Sequence, residues 1–118
     1  MPTSRNVLSA STLAKFKVEN TAGEDLGKIE ELMIDSATGR VAYAVLSFGG
    51  FLGFGDKLFA IPWSKLSSDP VKDKTFILNV PKERLDKARG FDKNNWPNVA
   101  DPKWRSETYK YYEAEPYW

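Results

Sequence analysis

Arg40-Val41-Ala42-Tyr43-Ala44-Val45-Leu46-Ser47-Phe48 is the stretch on which the fold turns. Side chains alternate between the faces of a strand, so Val41, Tyr43 and Val45 share one side and Ala42, Ala44, Leu46 and Phe48 the other. Both sides are apolar, which predicts a central strand covered on both faces. Downstream, Leu58-Phe59-Ala60-Ile61-Pro62-Trp63 reads as its neighbour. Pro62 has no N–H for a ladder, so that strand ends there or lies at a sheet edge. Upstream, Leu26 to Asp35 is another strand, and a bulge near Glu30-Glu31 is needed to bring Ile29, Leu32 and Ile34 onto one core face. Gly27 marks a bend or a close backbone approach within it. Asp35-Ser36-Ala37-Thr38-Gly39 is the hairpin loop between the two, with Asp35 capping the turn and Gly39 left-handed.

Further out the signals shorten. Phe16-Lys17-Val18-Glu19-Asn20 alternates like a half-buried strand, and Thr21-Ala22-Gly23-Glu24 is the turn after it. Thr75 to Val80 is a fifth strand. Ser9-Ala10-Ser11-Thr12-Leu13 is a capped turn in which Ser9 or Ser11 accepts backbone N–H bonds and Leu13 anchors in the core. Pro81 to Ala88 is a short helix, with Pro81 in its first turn and Gly90 closing its end. The fold class is therefore mainly β, with five to six short strands and a short helix in a small barrel or sandwich. The barrel spans residues 1–90, and 91–118 form an aromatic-rich extension. That extension holds half of the chain's aromatic residues but only one branched aliphatic, Val99, so its rings must pack on the barrel or on another chain.

Composition narrows the function. At 118 residues the chain has single-domain size and buries enough surface to fold without staples. It has neither cysteine nor histidine, which removes disulfides, thiolate nucleophiles, the side chain best suited to proton transfer near neutrality and the commonest zinc ligand. A formal net charge of +1 shows no basic excess for phosphate neutralisation, so no nucleic-acid partner is expected. No apolar stretch is long enough to span a membrane, and no apolar leader follows the polar start Met1-Pro2-Thr3-Ser4-Arg5-Asn6. The chain reads as cytoplasmic, a membrane-associated partner being compatible with it.

The ordered segments carry a resemblance. Thr21-Ala22-Gly23-Glu24-Asp25-Leu26-Gly27-Lys28-Ile29, then Ile34-Asp35 with Thr38-Gly39-Arg40, then Val41 through Gly50, and Phe59-Ala60-Ile61-Pro62-Trp63 resemble the PRC-barrel domain. Gly90-Phe91-Asp92-Lys93-Asn94-Asn95-Trp96-Pro97 is similar to the tail of a stand-alone bacterial branch of that family. The resemblance implies a barrel that docks on other proteins, as in the cytoplasmic part of the photosynthetic reaction centre H subunit and the C-terminal domain of a ribosome maturation factor. Two departures limit the carry-over. The H subunit has a membrane-spanning helix and a carboxylate on its counterpart of the Arg40–Phe48 strand, whereas that strand here has no Asp or Glu. The maturation factor needs a further N-terminal domain, for which this chain lacks the length.

Among candidate sites, Gly49-Gly50-Phe51-Leu52-Gly53-Phe54-Gly55 stands out. It leads to a strand rather than a helix, so it lacks the N-terminus that draws a phosphate. Either Phe51, Leu52 and Phe54 plug the barrel end, or they present an apolar patch to a partner or a second copy. Phe48, Gly49, Gly50, Phe51, Leu52, Phe54, Trp96 and Trp104 are the candidate contact residues. Glu30 and Glu31, as strand neighbours, point apart and do not converge on a substrate. Asp35 and Asp56 lack the compact oxygen-rich loop of a calcium site. No catalytic residue, metal or cofactor is expected. The chain is expected to be a non-catalytic adaptor, the alternatives being a homo-oligomeric structural protein, a reaction-centre-related component, or a barrel binding a small ligand or redox cofactor in its mouth.

Overall fold

The computed structural model describes residues 7–49, 56–88, 90–92, 96–98 and 101–116. Its strands are β1 (Lys17–Glu19), β2 (Asp25–Asp35), β3 (Arg40–Gly49), β4 (Asp56–Pro62), β5 (Leu66–Ser68) and β6 (Thr75–Leu78). Its helices are α1 (Ala10–Leu13), α2 (Lys82–Asp86) and α3 (Pro102–Tyr111). The six strands form one curled sheet in the order β4-β3-β2-β1-β6-β5, a half-barrel. Neighbours are antiparallel except β1 and β6, which run parallel.

β3 is the central strand that its two apolar faces predict, and residues 42–47 are all buried. Ala44 and Leu46 belong to the main core with Val18, Leu26, Ile29, Phe59, Ile61, Phe76, Leu78 and Leu85. Tyr43 and Val45 belong to a second cluster on the other face, with Leu58 and Ala60 of β4, and Ala42 joins this cluster instead of the face of Ala44 and Leu46 that strict alternation predicts. β4 ends at Pro62 at the sheet edge, and a single 3₁₀ turn, Trp63–Lys65, leads into β5. Trp63 therefore lies just beyond the strand assigned to it from sequence, and its ring packs edge-on against Phe76 at 5.6 Å.

The bulge expected at Glu30-Glu31 is present, since the β2–β3 register shifts between Ile29 and Glu31. Ile29 is fully buried and Leu32 packs on the core. A second register shift, between Met33 and Ile34, has its extra residue on β3, at Ala42. Ile34 is 54% exposed and does not join the core face as expected. Gly27 has a φ of +106°, and a Cβ there would stand 2.0 Å from the Ser47 carbonyl oxygen. This is the close approach its position suggested. Gly90 differs from expectation. It is not among the left-handed glycines and closes no helix. It lies close to β4 instead, where a Cβ would meet the Leu58 carbonyl oxygen at 2.8 Å. Pro81 precedes α2 as its N-cap rather than entering the first turn. Ser9, not Ser11, caps α1 by accepting from the Thr12 N–H at 3.2 Å.

The extension is more ordered than composition suggests. Phe91 pairs with Leu58 through two backbone hydrogen bonds of 2.9 and 2.8 Å, which occupies part of the β4 edge. After it comes α3, which the sequence reading lacked. Asp101 caps α3 by accepting from the Lys103 N–H at 3.0 Å, and Pro102 opens it.

Candidate functional site

The candidate contact residues do not form one cluster. Phe48 is half-buried, 6.5 Å from the Phe59 ring, with the Lys82 ammonium 5.7 Å above its own ring. Gly49 pairs with Asp56, so the two ends of the connection meet at the rim of the sheet. Gly50, Phe51, Leu52 and Phe54 lie outside the described residues. Trp96 and Trp104 are half-buried and pack on the outer face of β3 and β4, far along the chain from that rim. The Trp96 ring lies 5.0 Å from Phe91, and the Trp104 ring meets Tyr43 edge-on at 5.5 Å. The described part of the extension thus covers the second face of the central strand.

α3 is held at three points. The Tyr109 hydroxyl donates to the Ala42 carbonyl of β3. The Arg84 guanidinium donates to the Tyr111 carbonyl and sits 4.6 Å from the Tyr111 ring centre. The Tyr111 hydroxyl in return donates to the Arg84 carbonyl at 2.6 Å. The pair is a reciprocal clasp between α2 and α3, with a cation over a ring and two hydrogen bonds in opposite directions.

Between α3, the edge of β4 and the end of α2 lies a cavity of about 240 Å³. Its walls are Phe91, Trp104, Tyr111 and Tyr112, with Ala60 and Ala88 between them. Glu107 and Thr108 of α3 complete the lining. Sequence reasoning picked Trp104 from this set for its ring alone. The missed signal was Asp101-Pro102, a capping residue followed by proline at the first helical position. Read as a helix start, it places Trp104, Glu107, Thr108 and Tyr111 on one face by their three- and four-residue spacing.

The electrostatics contain no converging acid–base pair among the described residues. Burial pushes the Tyr43 phenol up to about 12 and the Tyr112 phenol well above its ordinary range, and it raises Tyr109 as well. Asp69 is held below the usual carboxylate range by the N–H groups of Val71 and Lys72, and Lys72 is raised by its 2.8 Å bond to Glu19. Both are surface features. Glu30 and Glu31 are exposed, with Glu30 3.9 Å from Lys28. Asp35 caps its turn through the Ala37 N–H at 3.0 Å. The described residues hold no group of three or more potential metal ligands, and no helix among them is long and apolar enough to cross a membrane.

The family model described as the PRC-barrel domain matches residues 5–85. The chain belongs to the PRC-barrel family. The match takes in all six strands and most of α2, so the half-barrel is the PRC-barrel itself. Phe91, Trp96 and α3 lie beyond it, and the aromatic cavity is formed where this added segment meets the PRC-barrel edge. A search of curated proteins finds no match for the chain.

Proposed function

We propose that this PRC-barrel is a non-catalytic adaptor that docks on another protein through the connection between β3 and β4. The observation that carries the reading is the Gly49–Asp56 pair, which fixes both ends of a segment containing Phe51, Leu52 and Phe54 at the sheet rim. Three large apolar side chains in so short a rim segment have use as a contact patch, and each ring withdrawn from water contributes roughly 1.5–3 kcal/mol. Phe48 leads into the segment from a packed position, so the patch has a rigid base. The absence of histidine and cysteine from the sequence is in keeping with a role without covalent or proton-transfer chemistry.

The test is the double variant Phe51→Asp, Phe54→Asp, compared with the natural chain by affinity capture and sedimentation velocity. Loss of captured protein with an unchanged far-ultraviolet spectrum supports docking at this rim. Loss of self-association alone assigns the segment to a contact between copies of the chain. Unchanged behaviour in both measurements overturns the proposal.

A further inference from the structure

The cavity under α3 has a chemistry of its own, independent of the docking reading. Four of its walls are aromatic, and its one charged group among the described residues is the Glu107 carboxylate. Two of the three hydroxyl-bearing residues of the lining have their protons committed elsewhere. Thr108 Oγ1 donates to the Trp104 carbonyl at 2.9 Å, and the Tyr111 hydroxyl donates to the Arg84 carbonyl at 2.6 Å. What those two groups leave to a ligand is lone pairs, beside a carboxylate and ring faces. All of these attract positive charge and none suits an anion.

The nearest guanidinium does not contradict this. Arg84 is engaged by the ring and carbonyl of Tyr111 and does not line the cavity. Because Tyr111 already holds a cation, the ligand's charge falls to Trp104 and Glu107. They stand three residues apart on α3 and therefore on the same helix face. Glu107 is exposed and stands at the mouth, while Tyr112, Ala60 and Ala88 are buried. The space is roughly eight water volumes, enough for a compact headgroup and too small for a peptide or a nucleotide. A primary ammonium is a compact, strongly hydrated point charge, and a surround made mostly of aromatic rings replaces little of that hydration. A methylated ammonium spreads its charge over apolar methyl surface and needs only rings and a counter-charge.

We propose that the cavity formed by Phe91, Trp104, Glu107, Thr108, Tyr111 and Tyr112 is a binding site for a small quaternary ammonium compound. The test titrates the full chain with choline and, in parallel, with its uncharged carbon isostere, in which a tert-butyl group replaces trimethylammonium. Calorimetry gives the affinities, and two-dimensional NMR locates the shifts. Saturable choline binding is expected, roughly tenfold tighter than the isostere, with shifts centred on Trp104 and Thr108. Glu107→Gln, a change at an exposed position, weakens choline several-fold without lowering the melting temperature and leaves the isostere unaffected. Equal affinity for the two compounds reduces the site to an apolar pocket and overturns the proposal. So does choline binding that Glu107→Gln leaves unchanged, or a titration without saturable shifts.

Discussion

At the scale of single residues, the sharpest constraint in the sheet is Gly27. Its +106° φ belongs to a region that side chains other than glycine rarely adopt, and the Ser47 carbonyl oxygen occupies the place a Cβ needs. The obstacle is backbone of the central strand, so a rotamer change relieves nothing. Gly27→Ala is therefore expected to destabilise by at least about 3 kcal/mol, combining left-handed strain with a backbone clash. Denaturant unfolding followed by circular dichroism checks this, and a loss below about 1 kcal/mol contradicts it. Gly23 makes a natural control, because a Cβ there meets nothing within 4 Å and only its positive φ opposes substitution.

At the scale of elements, how legible each one was follows from where its stabilisation originates. β3 could be read because every side chain from Val41 to Leu46 is apolar and both its faces are covered. The first bulge in β2 could be read because Ile29 and Leu32 otherwise oppose each other across the strand. The second shift could not, since its extra residue is Ala42 of β3 and nothing in the apolar run from Val41 to Leu46 marks an insertion. β5 is only Leu66–Ser68, too short for an alternation to register, and it exists through its pairing with β6. α3 was missed for a related reason. Its ten residues carry few aliphatics, and its stability comes from contacts with residues distant in the chain, Ala42, Tyr43 and Arg84. The candidate site shared this limit. Trp96 and Trp104 were identifiable as rings that must pack, but the cavity between α3 and β4 is a product of tertiary structure. The clasp gives an element-scale prediction. Arg84→Leu removes the charge over Tyr111 and one of the two hydrogen bonds, so α3 should loosen before the sheet does. Hydrogen exchange in residues 104–112 is expected to accelerate at least about tenfold while β3 amides keep their protection, in line with a local loss of roughly 1.5–3 kcal/mol. Uniform acceleration across both elements contradicts a local role.

At the scale of the whole molecule, buried phenols tie stability to alkaline pH. Tyr43 is buried with its hydroxyl lacking a hydrogen-bond partner among the described residues, and Tyr109 and Tyr112 are buried within the extension. All three have folded-state values raised above the ordinary 10.0 of an unfolded chain, chiefly by burial. The folded protein therefore holds these protons more tightly than the unfolded one. Their contribution is fully present below pH 10 and is lost as pH rises toward about 12, the Tyr43 value. Melting temperature is expected to stay flat with respect to these groups up to pH 10 and then fall, with phenolate absorbance appearing together with unfolding. Tyr43→Phe should make the decline shallower and, by removing a buried unsatisfied hydroxyl, raise stability by about 1 kcal/mol near neutral pH. Phenolate absorbance from all five tyrosines before any unfolding runs against this account.

The parallel pairing of β1 with β6 sets Val18 beside Phe76, across most of the half-barrel's length in sequence. During synthesis β1 therefore waits for a partner made much later, while the β2–β3–β4 meander has all its strands early. Such non-local closure slows folding, because the intervening chain must be drawn together before the contact repays it. A nascent chain halted before Thr75 leaves β1 with one flank bare, an open edge that another extended segment can pair with.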